Sequence, residues 1–186
     1  MTLELFVLML LTLSAQAETR VLICFDSVDG HTETVAGWIA DSVREEPDTI
    51  LRLQRVQDTT HEDLVWADAI IVGSPVYNSG LTQSVGTFLA EWPFEGAPLK
   101  NRVGAAFVSA QGATAGAENA LFSVLKTMMI FRMLIVGGED WRSGFGVAYV
   151  LDGASDKSRG FVEAQARDLG LRVCRVAEAT SKLRGR

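Results

Sequence analysis

The 186 residues suffice for one domain with a sizeable core and fall short of two ordinary ones. Apolar residues make up 48% of the chain and prolines number only 4, a composition that excludes an extended disordered polypeptide. The net charge of −6 argues against a nucleic-acid partner, which would need a basic face to neutralise phosphates.

In chain order, residues 1–17, MTLELFVLMLLTLSAQA, come first. Their apolar stretch is too short for a stable bilayer span, and the Ala-Gln-Ala ending has the small-x-small form of a signal-peptidase site. This predicts a signal peptide cut after Ala17, a mature domain over 18–186, and a periplasmic or secreted product with no stable membrane span. The leader lacks Lys and Arg ahead of its apolar run and carries Glu4. A buried strand or a misassigned start codon is therefore the competing reading, and it would leave the product cytoplasmic.

Residues 20–25, RVLICF, form a continuous apolar run bounded by a turn, as a central parallel strand would. Val35, Trp38, Ile39, Ser42 and Val43 then recur with helical spacing, and Pro47 closes that segment. A shorter second strand is predicted at TILRLQRV and a third over 67–74. Leu81, Val85, Phe88, Leu89 and Trp92 mark a second helix ended before Pro93. A fourth strand is predicted over 102–110, a third helix around Leu121, Val124, Leu125 and Met128, and a fifth strand over 132–137. Val162, Ala166, Leu169, Val173 and Val176 mark the last helix. Strands alternating with helices imply a parallel sheet covered on both faces. The stretch from Gly137 to Gly160 reads as a loop-rich excursion. The terminal SKLRGR reads as a frayed, solvated end.

Cys24 and Cys174 form neither a CxxC motif nor a metal cluster. They read as core residues, with a disulfide left open, since sequence does not establish its geometry. His31 and His61 are the only histidines, too few for a metal site.

Ligands of open α/β sheets bind at the carboxyl ends of the strands. Three loops qualify: residues 25–34, FDSVDGHTET; residues 73–80, GSPVYNSG; and residues 109–118, SAQGATAGAE. The first lacks the Lys and second Gly of a P-loop and the G-x-G-x-x-G of a dinucleotide fingerprint. What remains is a hydroxyl-Gly-hydroxyl turn opening a helix, an anion site of backbone N–H groups at a positive helix end. Asp26 and Asp29 place two carboxylates in that loop.

Phe25-x-Ser27-x-x-Gly30-x-Thr32-x-x-x-Ala36-x-x-Ile39 resembles the phosphate-loop signature of the flavodoxins. ADAIIVGSPVYNSGLTQSVGTFL resembles their flavin loop with its following helix. VGAAFVSAQGATAGAENAL resembles the third flavin loop of the tryptophan-repressor-binding-protein-like NAD(P)H:quinone oxidoreductases. The resemblance runs from Arg20 to the C-terminus and implies an α/β flavodoxin-like three-layer sandwich, its five-stranded parallel sheet in the order 2-1-3-4-5, with FMN as cofactor.

On that resemblance Ser27, Val28, Asp29, Gly30, His31 and Thr32 would take the phosphate. Pro75, Val76, Tyr77 and Asn78 would meet one edge of the isoalloxazine ring, and Ser109, Ala110, Gln111 and Gly112 the other. Tyr77 offers a π-face for stacking, and Asn78 can donate and accept towards the polar ring edge. Asp29 departs from the pattern, standing where many flavodoxins have Thr. Ile130 and Phe131 stand where the quinone-reductase branch often has a histidine pair.

Three functions fit these features: an FMN-dependent NAD(P)H:quinone oxidoreductase, a flavodoxin-type electron carrier, or a binding module that has lost its cofactor. The chemistry of the first two belongs to the flavin, so no catalytic side chain is assigned. The implied partners are a small-molecule or protein redox partner; a homo-oligomer is left open.

Overall fold

β1 (Thr19–Phe25) is buried along nearly its whole length and sits in the middle of a parallel sheet. Its side chains alternate, as the pleat requires. Val21, Ile23 and Phe25 enter one apolar cluster, and Leu22 and Cys24 enter the cluster on the opposite face. A computed structural model describes residues 18–184, so the leader expected over 1–17 lies outside the described residues.

The remaining strands follow the same logic. β2 (Thr49–Arg55) lies at the sheet edge and is half-buried, whereas β3 (Ala69–Pro75) and β4 (Val103–Ala110) are buried throughout. The order is β2-β1-β3-β4-β5, all parallel, as the resemblance to the flavodoxins implied. Helices cover both faces. α1 (His31–Glu45) and α5 (Asp156–Ala179) pack over the Val21 side. α2 (His61–Trp66), α3 (Gln83–Ala90) and α4 (Ala117–Ile130) pack over the Leu22 side. α1 and α5 approach closely at Gly170, where an added Cβ would stand 2.2 Å from Ser42 Oγ. The short α2 was not foreseen; a capping box between Thr60 and Asp63 starts it.

The fifth strand position differs from expectation. β5 is only Leu134–Ile135 and pairs with Val103 and Gly104. The stretch expected to be irregular holds a further strand, β6 (Val147–Val150), paired in parallel with Phe107 to Ala110, and the first turn of α5. β6 forms because Val147 and Tyr149 alternate inward, with Tyr149 edge-on to Trp38 at 5.6 Å. Gly146 (φ 119) admits the chain to the sheet, since a Cβ there would stand 2.1 Å from the Ala106 carbonyl oxygen.

Cys24 and Cys174 lie in clusters on opposite faces of the sheet and are both free, which closes the disulfide alternative. Burial pushes both thiols up, Cys174 to about 12, so neither is a ready nucleophile. The C-terminal segment is docked rather than frayed. Arg184 Nε donates to Asp68 Oδ1 at 3.1 Å, with both side chains almost fully buried, and Asn101 Nδ2 donates to the Leu183 carbonyl at 2.8 Å. Among the described residues no helix is long and apolar enough to cross a membrane.

Candidate functional site

The three loops singled out from sequence meet at the carboxyl end of the sheet. They enclose a cavity of ≈ 180 Å³ lined by Val28, Asp29, His31, Thr32, Pro75, Val76, Tyr77, Ser109, Ala110, Gln111 and Leu151. The central strands deliver them together, because β1, β3 and β4 are adjacent and parallel, so their C-termini share one edge.

The first loop runs from β1 into α1. Gly30, at φ 81, is the N-cap and supplies no side-chain cap. The Glu33 N–H donates to Ser27 Oγ at 3.3 Å, and Arg55 donates to the Ser27 carbonyl at 2.6 Å while pairing with Glu33 at 2.7 Å. Ser27 is thus engaged by the protein and does not line the cavity; neither does Gly30. Thr32 is buried, and its hydroxyl meets that of Ser109 at 2.7 Å. Asp29 and Val28 are exposed at the rim. His31 stands at the opening of α1 with its ring edge-on to Tyr149, 6.4 Å between centroids.

Asp26, the loop's other carboxylate, is buried and hydrogen-bonded to the Ser84 hydroxyl on α3. Burial pushes its carboxyl up. The hydroxyls of Ser84 and Thr82, the Ser27 N–H and the Gln57 side chain outweigh that and hold it below its usual value.

The second loop is a tight turn. The N–H and C=O groups of Tyr77 and Gly80 exchange bonds of 3.0 and 2.9 Å, and Asn78 (φ 48) and Ser79 (φ 64) between them are both left-handed, the pattern of a type I′ turn. Asn78 sits at the tip, and the cavity lining passes from Val76 to Tyr77 without reaching it. The turn rests on α4: Asn119 Nδ2 donates to the Ser79 carbonyl at 2.7 Å, and Ser79 fills the space beside Gly116, where a Cβ would stand 2.3 Å from Ser79 Oγ. Tyr77 remains 45% exposed, so its ring is accessible at the cavity wall.

The third loop follows β4. The Val76 N–H donates to the Ser109 carbonyl at 2.8 Å, fastening the second loop to the third. Leu151 and Asp152, just past β6, donate from their N–H groups to the carbonyls of Ala110 and Gln111 at 3.0 and 2.8 Å. Leu151 is thereby a wall of the cavity, which sequence reasoning missed. The alternation Val147, Tyr149, Leu151 was the available signal. Gly112 does not line the cavity. Among the described residues no cluster of His, Cys, Asp and Glu could hold a metal ion.

The cavity joins a helix N-terminus, two buried hydroxyls, an amide and an aromatic face. It can receive an anionic group at α1 and a flat ring beside Tyr77.

Comparisons with known proteins identify the fold and family. A flavodoxin domain family model matches residues 22–129. A flavodoxin from Aquifex aeolicus is 30% identical over 127 residues, 66% of this chain and 66% of its own length. An NAD(P)H dehydrogenase (quinone) from Azorhizobium caulinodans is 33% identical over 142 residues, 63% of this chain and 70% of its own. A WrbA-like flavodoxin structure from Agrobacterium tumefaciens superposes with a TM-score of 0.71 at 21% identity, covering 88% of this chain and 99% of that one. The chain belongs to the flavodoxin family.

Proposed function

We propose that this flavodoxin-like redox protein binds FMN in the cavity formed by its three loops and uses it to take hydride from NAD(P)H and reduce a quinone. The observation that carries the reading is the convergence of a helix N-terminus, paired hydroxyls and an accessible tyrosine on one cavity. The residues present fit the group. The backbone of the 27–32 loop and Thr32 would hold the phosphate, Tyr77 would lie against the ring, and Ser109 to Gln111 would meet its other edge. The bound flavin would supply the two-electron chemistry.

The protein's own contribution is placement. The turn Tyr77–Gly80 is braced by Asn119, and Val76 is tied to β4, so the aromatic face is set before a ligand arrives. The buried Thr32–Ser109 contact keeps the phosphate side and the ring side in register.

A second reading, an electron carrier without a substrate of its own, is favoured by the open rim. Val28 is 64% exposed and Tyr77 45%, and the net charge of −6 suits a basic protein partner. Export after cleavage at Ala17 fits this second reading better, because little NAD(P)H is met outside the cell.

One experiment separates the readings. The purified protein is soaked in FMN, desalted and mixed anaerobically with NADH or NADPH. Retained yellow colour that bleaches and returns on adding a quinone supports the oxidoreductase. Colour that does not bleach supports the carrier. A colourless protein overturns both and leaves a binding module.

A further inference from the structure

Asp26 is a buried carboxylate that the site as described does not use. It is 8% exposed, and its own N–H donates to the Gly73 carbonyl at 3.1 Å, continuing the β1–β3 pairing by one residue. Its side chain is turned to the Leu22 side of the sheet, away from the cavity lining, and takes the Ser84 hydroxyl in a short bond. The Thr82 hydroxyl, the Ser27 N–H and the Gln57 side chain also stabilise it. Those donors come from three segments. Ser27 belongs to the phosphate-side loop, Gln57 to the turn after β2, and Thr82 and Ser84 to the first turn of α3, directly after the ring-side turn.

Of the four, the Ser84 hydroxyl is the direct hydrogen-bond partner, itself 3.1 Å from the Thr82 hydroxyl, and the others act on the carboxyl from beside it. An ionised carboxylate presents acceptor positions on two oxygens and no donor, so it suits a surround made of donors, with Ser84 as its direct partner. Its bonds are charge-assisted and outlast their neutral equivalents. Thr82 is itself the N-cap of α3, accepting the Val85 N–H, and its N–H donates to Ser74 Oγ at 3.3 Å. Displacing Ser84 or Thr82 would therefore move the start of α3 together with the end of β3.

We propose that Asp26 is a positioning residue, a common acceptor that fixes the spacing between the phosphate-side loop and the ring-side turn. The proposal rests on the FMN reading above for its ligand. Asp26 has two opposite effects on binding. Its charge and its hold on the Ser27 N–H work against an anion at α1. Its hold on α3 favours any ligand long enough to touch both loops at once. A ligand confined to the phosphate side feels only the first effect.

The test is Asp26→Asn, which keeps the shape and removes the charge. FMN affinity is measured by fluorescence quenching, and inorganic phosphate is titrated by the amide shifts of residues 27–32. Loss of a charge-assisted bond predicts FMN binding weaker by about tenfold. Phosphate binding is expected to be unchanged or tighter. Amide exchange in the substituted protein should rise together at 27–30, 56–59 and 81–85.

FMN and phosphate weakening in proportion would overturn the proposal, as would unchanged FMN affinity. If the parent protein binds no FMN, the cofactor reading fails by itself, and the exchange pattern still decides whether Asp26 couples the three segments. If Asp26→Asn does not fold, Ser84→Ala removes one donor only. It should weaken FMN in the same direction and leave phosphate binding alone; unchanged FMN affinity there overturns the proposal.

Discussion

The Thr32 hydroxyl stands 2.7 Å from the Ser109 hydroxyl, buried, and joins the first turn of α1 to the end of β4 across 77 residues of sequence. One hydroxyl donates and the other accepts, so removing either leaves a buried polar atom without this partner. Thr32→Val, nearly equal in volume, should destabilise the fold by about 1–3 kcal/mol. Thr32→Val with Ser109→Ala should cost less than the sum of the single changes. Urea denaturation of the four proteins measures the coupling; strict additivity would mean the bond contributes nothing of its own.

Tyr77→Ala removes the accessible ring at the cavity wall. FMN affinity should fall on the order of 1 kcal/mol, the scale of an aromatic pair, and the flavin potential should shift. Quenching titrations and a redox titration check this. An unchanged spectrum, potential and affinity would place the ring elsewhere.

Asp29 lines the cavity from an exposed position at its rim. Two charges about 5 Å apart at an effective dielectric near 20 repel by about 3 kcal/mol, and exposure and salt reduce that. Asp29→Ser should therefore bind FMN more tightly, with the greatest advantage at low ionic strength. Weaker binding at low salt would mean that the carboxylate helps the site.

The buried Arg184–Asp68 pair predicts a stabilising role for the C-terminal segment. Asp68 also accepts from the Arg20 N–H and faces Arg102, so it keeps partners when Arg184 is lost. Arg184→Ala should then cost about 2 kcal/mol, below the full penalty of a stranded buried charge. A urea midpoint equal to that of the parent would return the segment to the status of a loose tail.

Asp63 caps α2 and pairs with Arg52 at 2.5 Å. Burial pushes its carboxyl up, but the Thr60 N–H and hydroxyl, Gln54 and Arg52 outweigh this and hold it at about 2, against an ordinary 3.8. A depressed carboxyl stabilises the fold above its unfolded value and loses that contribution as pH falls through its folded one. Arg52 is 41% exposed, so solvent screening cuts the contribution of the pair. Asp63→Asn should cost about 1 kcal/mol near neutrality, and the gap from the parent should close between pH 4 and pH 2. Denaturation at stepped pH values follows it.

The sheet was legible because its centre is apolar on both faces. Val21 to Phe25 and Val103 to Ala110 read as strands without help from tertiary context. The loops were legible because Gly30, Gly80 and Gly116 punctuate the ends of periodic segments. The cavity wall at Leu151 was not, since β6 is 4 residues long and is preceded by Gly137, Gly138, Gly144 and Gly146, which suggest a loop. What makes it a strand is the β4 edge beside it, a long-range partner that local sequence does not contain. Arg184 was misread for the same reason, because its carboxylate partner is 116 residues away. The orientation of Asp26 was hidden too; the sequence shows a carboxylate in an anion loop, and only the packing of α3 shows which way it faces.

The divided fifth position has a colloidal consequence. An uninterrupted outer strand offers a row of unpaired N–H and C=O groups on which another chain can add. Here the edge is built from pieces of 2 and 4 residues. Between them the chain leaves the sheet, making its own turn from Gly138 to Ser143 by a 2.8 Å bond, and returns at Gly146. No template at this border is long enough to seed a strand of ordinary length from a neighbouring molecule. The break that obscured β6 in the sequence thus guards this side of the sheet against fibre-like stacking.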